Sequence, residues 1–325
     1  MTLTRIAVLI PCHNEEAAIG EVVSGLRAAL PEAVVYVYDN NSSDRTRERA
    51  AAAGAVVRTE PLQGKGNVVR RMFADVEADI YVLVDGDGTY DPIAAPAMLR
   101  RLWEERLDMV TGVRVTEAQA AYRLGHRLGN RVLTGVVRQV FGNRVTDMLS
   151  GYRCFSRRFV KSFPALAQGF ETETEFTVHA LELRMPVGEI RTAYSERPAG
   201  SVSKLRTYRD GFKILRMILA LVQRERPRLF FGLLALFLAL LSVALFLPVL
   251  ETYLVSGLVP RLPTFLASTM FMLLAFLCLT CGLVLDTVTR GRIEAKRIAY
   301  LAQPAPGGPE ALETAWSSPA PGAKR

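Results

Sequence analysis

The 325-residue chain has little of what builds disulfide frameworks or transition-metal sites: four cysteines and three histidines. Cys12, Cys154, Cys278 and Cys281 are scattered, which excludes a disulfide scaffold and suits a reducing compartment. Cys278 and Cys281 do form a C-x-x-C, but inside an apolar run. A redox pair needs an exposed helix N-terminus to activate its thiol, so these two read as packing residues. His13, His126 and His179 share no ligand spacing, which argues against zinc and leaves them structural roles. Neither G-x-x-x-x-G-K-[ST] nor G-x-G-x-x-G occurs, which speaks against a Walker loop and a dinucleotide fold. No basic stripe with interleaved aromatics appears, so nucleic acid is not an expected partner. The first residues, MTLTRIAVLIPCHNEE, have too short an apolar stretch and no small-residue cleavage site for a signal peptide. No internal repeat is visible.

What is abundant is apolar and basic. Half of the residues are hydrophobic and the net charge is +8, which favours anionic partners such as membrane lipid or phosphorylated substrates. The apolar excess lies late in the chain. Two spans, 229–250 and 264–286, are long enough to cross a hydrocarbon core of roughly 30 Å as helices. Buried helices of soluble proteins rarely run so far without a polar face. Arg224, Arg226 and Arg228 precede the first span, and Arg290, Arg292, Lys296 and Arg297 follow the second, while the connection carries only Arg261. The positive-inside rule then places the N-terminal domain and both termini in the cytoplasm and the hairpin loop outside. Residues 207–228 mix an apolar face with basic residues and read as an amphipathic helix on the membrane surface, or as a buried core helix. The tail, 303–325, is rich in Pro, Gly and Ala and reads as disordered.

Residues 1–206 alternate short apolar runs with helical patterns. Strands are expected at Arg5–Ile10, Val34–Tyr38, Val56–Arg58, Ile80–Val84 and Met109–Thr111. Helices are expected at Glu15–Leu30, Asp44–Ala53, Asn67–Val76 and Pro92–Glu105, the last capped by Asp91. This order predicts an α/β domain with a mostly parallel sheet, whose ligands bind beyond the carboxyl ends of the strands. Four polar or Gly-rich segments stand there: Pro11–Glu16, Asp39–Asp44, Gln63–Asn67 and Asp85–Tyr90. Asp85 and Asp87 flank a glycine and could aim two carboxylates at one Mg²⁺ or Mn²⁺; alone, Asp-Gly-Asp-Gly is also ordinary turn chemistry. Asp39 could accept the imide N–H of a pyrimidine base, and Gly64-Lys65-Gly66 could lay backbone N–H groups and one ammonium along a phosphate.

Together, Pro11-Cys12-His13-Asn14-Glu15-Glu16, Asp39-Asn40-Asn41-Ser42-Ser43-Asp44-Arg45-Thr46, Gly64-Lys65-Gly66 and Asp85-Gly86-Asp87-Gly88-Thr89-Tyr90-Asp91-Pro92 resemble family 2 glycosyltransferases of the GT-A fold. Asp147-Met148-Leu149-Ser150-Gly151-Tyr152-Arg153 and the stretch from Arg197 to Leu205 resemble the polyprenyl-phosphate branch, typified by dolichol-phosphate mannose synthase. The resemblance implies inverting, metal-dependent transfer of a hexose from UDP- or GDP-sugar to undecaprenyl or dolichyl phosphate. Pro11, Asn14, Glu15 and Asp39 would hold the nucleoside, with Gly64 and Lys65 near the base or diphosphate. Asp85 and Asp87 would bracket the metal, Asp87 as the more direct ligand. Arg114 and Arg127 would meet the acceptor phosphate, and Arg197 and Lys204 would close over the donor. Asn40 departs from the commoner Asp-Asp pair, which opens the choice of nucleotide. The spans would also serve a homo-oligomer.

A lipid monophosphate is largely dianionic at neutral pH and needs no strong general base. It needs neutralisation and orientation by arginines, and Arg114, Arg123, Arg127, Arg131 and Arg138 crowd one stretch. The alternatives are transfer to a sugar or glycolipid hydroxyl, for which Glu173 or Glu175 would become an essential base, and a membrane scaffold that has lost its chemistry. A processive polysaccharide synthase would need a Q-x-x-R-W motif, which is absent. Glu171, Glu173 and Glu175 read equally as a solvated helix start.

Overall fold

The computed structural model describes residues 4–115, 146–167, 169, 171–195, 223 and 226–306. Arg127 and its neighbouring arginines, Arg197, Lys204, nearly all of 207–228 and most of the 303–325 tail lie outside the described residues. The chain divides into two units, Met1–Leu205 with Lys296–Arg325, and Arg206–Ala295.

Among the described residues, the first unit holds seven strands: β1 (Ile6–Cys12), β2 (Val34–Asp39), β3 (Val56–Thr59), β4 (Ile80–Leu83), β5 (Met109–Val115), β6 (Arg153–Ser156) and β7 (Val187–Ala193). They form one sheet in the order β3-β2-β1-β4-β6-β5-β7. Only β6 is antiparallel to its neighbours. The helices are α1 (Ile19–Ala29), α2 (Thr46–Ala52), α3 (Lys65–Asp75), α4 (Ala94–Glu104), α5 (Arg157–Ser162) and α6 (Thr172–Glu182). Ala7–Ile10 and all of β4 are buried, because helices cover both faces; strands in that position read as unbroken apolar runs. Val8, Ile10 and Cys12 point into a core shared with Ile19, Val23 and Leu26 of α1 and Met98, Leu99 and Leu102 of α4. The opposite face holds an aromatic cluster of Phe73, Phe155, Phe159 and Phe176 from α3, β6, α5 and α6, with Phe163 just past the end of α5. Each such fully buried side chain contributes about 1.5–3 kcal/mol.

The expected alternation is present, and among the differences of extent three have a visible cause. Helix α1 starts at Ile19 rather than Glu15, because the N–H groups of Glu15 and Glu16 are donated to Thr46 Oγ1 and Asp44 Oδ2 across the loop. Helix α3 starts at Lys65, two residues before the expected Asn67, since Gly64 takes φ +128° and turns the chain into it. Strand β5 runs on to Val115 because β7 pairs with its whole length.

Register brings the strand ends together. Cys12 pairs with Asp39, Leu9 with Leu83, and Leu83 with Arg153. The carboxyl ends of β1, β2 and β4 and the amino end of the reversed β6 therefore share one edge.

Helices α7 (Pro227–Ser256) and α8 (Leu262–Leu301) contain the two expected spans, and α8 ends in residues of the first unit. Both are long and apolar enough to cross a membrane. Within the second unit, Pro227 at the start of α7 is buried, and beyond it the buried positions of the two helices are Ala235, Ser242 and Val249 on α7 and Ser268, Ala275, Gly282 and Thr289 on α8. That seven-residue spacing of mostly small side chains is a close-packed seam, and Ser242 Oγ donates to the Ser268 carbonyl at 2.7 Å. The leucines and phenylalanines around the seam, Leu233, Phe237, Leu240, Leu273 and Phe276 among them, are exposed.

Candidate active site

The loops after β1 and β2 are laced to each other. Asn14 sits at φ +55°, donates its N–H to Ser42 Oγ (2.9 Å) and accepts from the Ser43 N–H through Oδ1 (2.8 Å). Glu16 pairs with Arg45 at 2.7 Å and Arg49 at 3.2 Å. This lacing leaves Asp39 fully buried at the end of β2. Its Oδ2 accepts from the Ser42 N–H at 3.2 Å and lies 3.7 Å from Arg47 Nε. Its Oδ1 is buried with no hydrogen-bond partner among the described residues. A carboxylate oxygen is costly to leave so, and the cost marks a place for a donor from a ligand. Pro11 lies near the end of the neighbouring β1, paired with Tyr38 of β2.

Asn40 explains its departure from aspartate. Its amide donates to the carbonyls of Glu60 and Leu62, both at 2.8 Å, and its oxygen accepts from the Gly64 N–H at 2.7 Å. A carboxylate could make only the last of these. Asn40 thus fixes the loop that delivers Gly64 and Lys65 to the first turn of α3. Helix N-termini present free N–H groups and favour anions.

Lys65 is buried between two carboxylates. Its ammonium bonds Asp85 Oδ1 and, at 2.5 Å, Glu173 Oε1. Burial opposes the charged form, but the two carboxylates overcome it and raise the lysine above its ordinary pKa. Asp85 rests against Gly151, where a Cβ would overlap its carboxylate. Gly151 is held by its N–H to Tyr90 Oη at 2.9 Å, and Tyr90 packs on Tyr152 and Tyr194. Asp87 is buried, and its Oδ1 accepts from Thr89 N–H (3.2 Å) and Oγ1 (2.6 Å). Asp85 and Asp87 suit a hard divalent cation: the donors are oxygen only, and Asp85 already holds a cationic group. No cluster of three or more His, Cys, Asp or Glu side chains with metal-ligand geometry is found among the described residues, so a diphosphate and water would supply the remaining oxygens.

Residues 7–163 match the family described as Glycosyl transferase family 2. Glycosyltransferase AglJ of Haloferax volcanii is 35% identical over 71% of this chain and 76% of its own length. The chain belongs to glycosyltransferase family 2. A dolichyl-phosphate hexose transferase of the same organism is 27% identical over 70% of this chain and 98% of its own length. In fold, the glycosyltransferase matches glucosyl-3-phosphoglycerate synthase of Mycobacterium tuberculosis, solved with Mn²⁺ and UDP-glucose, with a TM-score of 0.55 and 24% identity over 68% of this chain and 78% of that one.

Other residues surround the candidate site. Glu173 is buried, not part of a solvated helix start, and its Oε2 has no partner among the described residues. Both oxygens of Glu175 accept backbone N–H groups, from Leu166 (3.0 Å) and Ala167 (2.9 Å). Helical spacing was the available signal, since Glu173 shares a face with the buried Phe176, Thr177 and Ala180. Arg114, on β5, makes a two-pronged ion pair with Asp147, both bonds 2.8 Å, and lies over the Tyr194 ring. Burial opposes that charge on Asp147, but the guanidinium bonds win and lower its pKa. Arg153 is fully buried, donating to the carbonyls of Met148 and Ser150 and to Thr177 Oγ1; desolvation lowers its pKa to about 10. It ties the Met148–Gly151 loop to α6.

Proposed function

We propose that this glycosyltransferase moves a hexose-type sugar from UDP- or GDP-sugar to a polyprenyl phosphate, with inversion and with Mg²⁺ or Mn²⁺, at the cytoplasmic face of a membrane. The observation that carries the donor half is the convergence, on one sheet edge, of the unpartnered buried Asp39 oxygen, the α3 N-terminus and the Asp85/Asp87 pair. Asp39 Oδ1 accepts a base N–H, and the first turn of α3 faces the diphosphate. Asp85 and Asp87 would hold the divalent cation, which would supply Lewis-acid stabilisation of the departing nucleoside diphosphate. A phosphate oxygen of the acceptor forms its bond to the anomeric carbon as the bond to the nucleotide breaks on the opposite side, which inverts the configuration.

The acceptor half rests on the apolar hairpin and on the name of the dolichyl-phosphate relative. Arg114 serves an acceptor phosphate by exchanging some of its bonding to Asp147 for the phosphate, while Arg127, Arg197 and Lys204 keep their proposed parts. Basic flanks on both apolar helices favour cytoplasmic termini. Transfer to a hydroxyl is less favoured, because neither candidate base is presented as one: Glu175 spends both oxygens on backbone, and Glu173 is buried against Lys65.

Membranes carrying the protein, incubated with a panel of nucleotide sugars and polyprenyl phosphate, should yield a glycosyl phosphoprenol detected by mass. Product only on glycolipid or sugar-hydroxyl acceptors would refute the phosphate acceptor.

A further inference from the structure

We propose that Lys65 is a built-in counter-cation that obstructs the divalent-metal position until a nucleoside diphosphate arrives, so that metal and nucleotide load together rather than metal first. The inference rests on Asp85 and Asp87 being the metal carboxylates.

The geometry leaves Lys65 little choice of partner. Its Cα is fixed at the start of α3, where the preceding N–H is held by Asn40 and the following glycine packs closely on the 167 carbonyl. Its side chain is 9% exposed, and both its bonds end on carboxylates, Asp85 and Glu173. The ammonium therefore sits where a cation coordinated by Asp85 must neighbour it or displace it. A divalent ion about 5 Å from a unit positive charge is repelled enough to weaken its binding by about tenfold even at the permittivity of water, and more in a buried site. An incoming diphosphate changes the balance: its charge gives the ammonium a second anion to face and supplies the metal with oxygens. Glu173, the other anchor, keeps the ammonium inside the pocket when Asp85 is given up. Its Oε2, buried and without a described partner, leaves room for that shift.

Mn²⁺ binding to the purified full-length protein, followed by electron paramagnetic resonance with and without UDP or GDP, tests this. The wild type is expected to bind Mn²⁺ weakly alone and strongly with a nucleotide. Lys65→Met should bind Mn²⁺ alone at least about tenfold more tightly, whereas Lys65→Arg, which keeps the charge, should stay near wild type. Lys65→Met/Glu173→Gln removes the stranded carboxylate should the single variant fail to fold, and should show the same gain. Unchanged nucleotide-free affinity in these neutral variants, with nucleotide-dependent Mn²⁺ binding intact in the wild type, overturns the proposal and spares the metal site. Absence of Mn²⁺ binding in every state overturns both.

Discussion

Replacing Lys296 by methionine should destabilise the catalytic unit although the residue lies far along the sequence from it. Lys296 and its successors are part of that unit. Lys296 Nζ bonds Glu182 Oε2 at 2.6 Å, and the Glu182 side chain is only 4% exposed against 18% for Lys296. Next to it, Tyr300 Oη donates to the fully buried Asp108 at 2.8 Å, with Arg158 bound to the same carboxylate and stacked 4.8 Å from the Tyr300 ring. Removing one partner of a buried pair costs about 3–5 kcal/mol, and the partly exposed lysine points to the lower end, about 3 kcal/mol. For a unit of this size that shifts Tm by about 6–12 °C. Thermal unfolding of the full-length protein in detergent, read by intrinsic fluorescence, measures it. Lys296→Met/Glu182→Gln, which leaves no buried charge, should recover most of the loss. A shift below about 2 °C, or a double variant no better than the single, would show that Glu182 is not relying on Lys296, and the reasoning fails.

Gly151→Ala pushes a methyl into the Asp85 carboxylate; kcat/KM should fall about 10²-fold, the scale of a small misplacement at a reacting centre, with Tm nearly unchanged. Asn40→Asp loses two donors to the Glu60 and Leu62 carbonyls and faces them with oxygen, which should cost about 3 kcal/mol by denaturant midpoint and raise the KM for the donor. His179 is held down from 6.5 to about 3, by burial first and by Lys296 second. The unfolded chain takes up that proton near pH 6.5 and the folded chain does not, so this residue removes stability as pH falls from about 6.5 toward 3. His179→Phe, among Phe159 and Phe163, should flatten that stretch of the stability–pH curve relative to wild type; an identical slope would exclude the assignment.

The first half of the domain was legible because each strand there is an apolar run closed by a polar or glycine-rich stop, and parallel strands with covered faces must read that way. The second half broke that pattern. Strand β6 is antiparallel and carries Arg153, a charge that no hydropathy pattern would bury, yet three oxygen acceptors and a π face receive it. Strand β7, VGEIRTA, has two charged residues and pairs at the end of the sheet order. The two long apolar helices were readable from length and composition alone. The docking of Lys296 and Tyr300 was not, since it depends on two acids, Asp108 and Glu182, whose burial emerges only in three dimensions.

The site shows the same division. Asp39, Asp85, Asp87 and Lys65 were visible because each follows a strand end, where the fold rule says to look. Glu173 was legible only as a possible base; its pairing with Lys65 was not, because it comes from α6, more than 100 residues beyond Lys65. Yet Glu173 determines what Lys65 can do. With Asp85 as sole partner, the ammonium would be a simple placeholder for a metal, free to leave the pocket with it. With a second carboxylate fixed on another helix, it stays as a permanent positive charge beside two aspartates. A metal site that carries its own competing cation favours the ion that arrives with anionic ligands attached, and a nucleoside diphosphate brings those ligands.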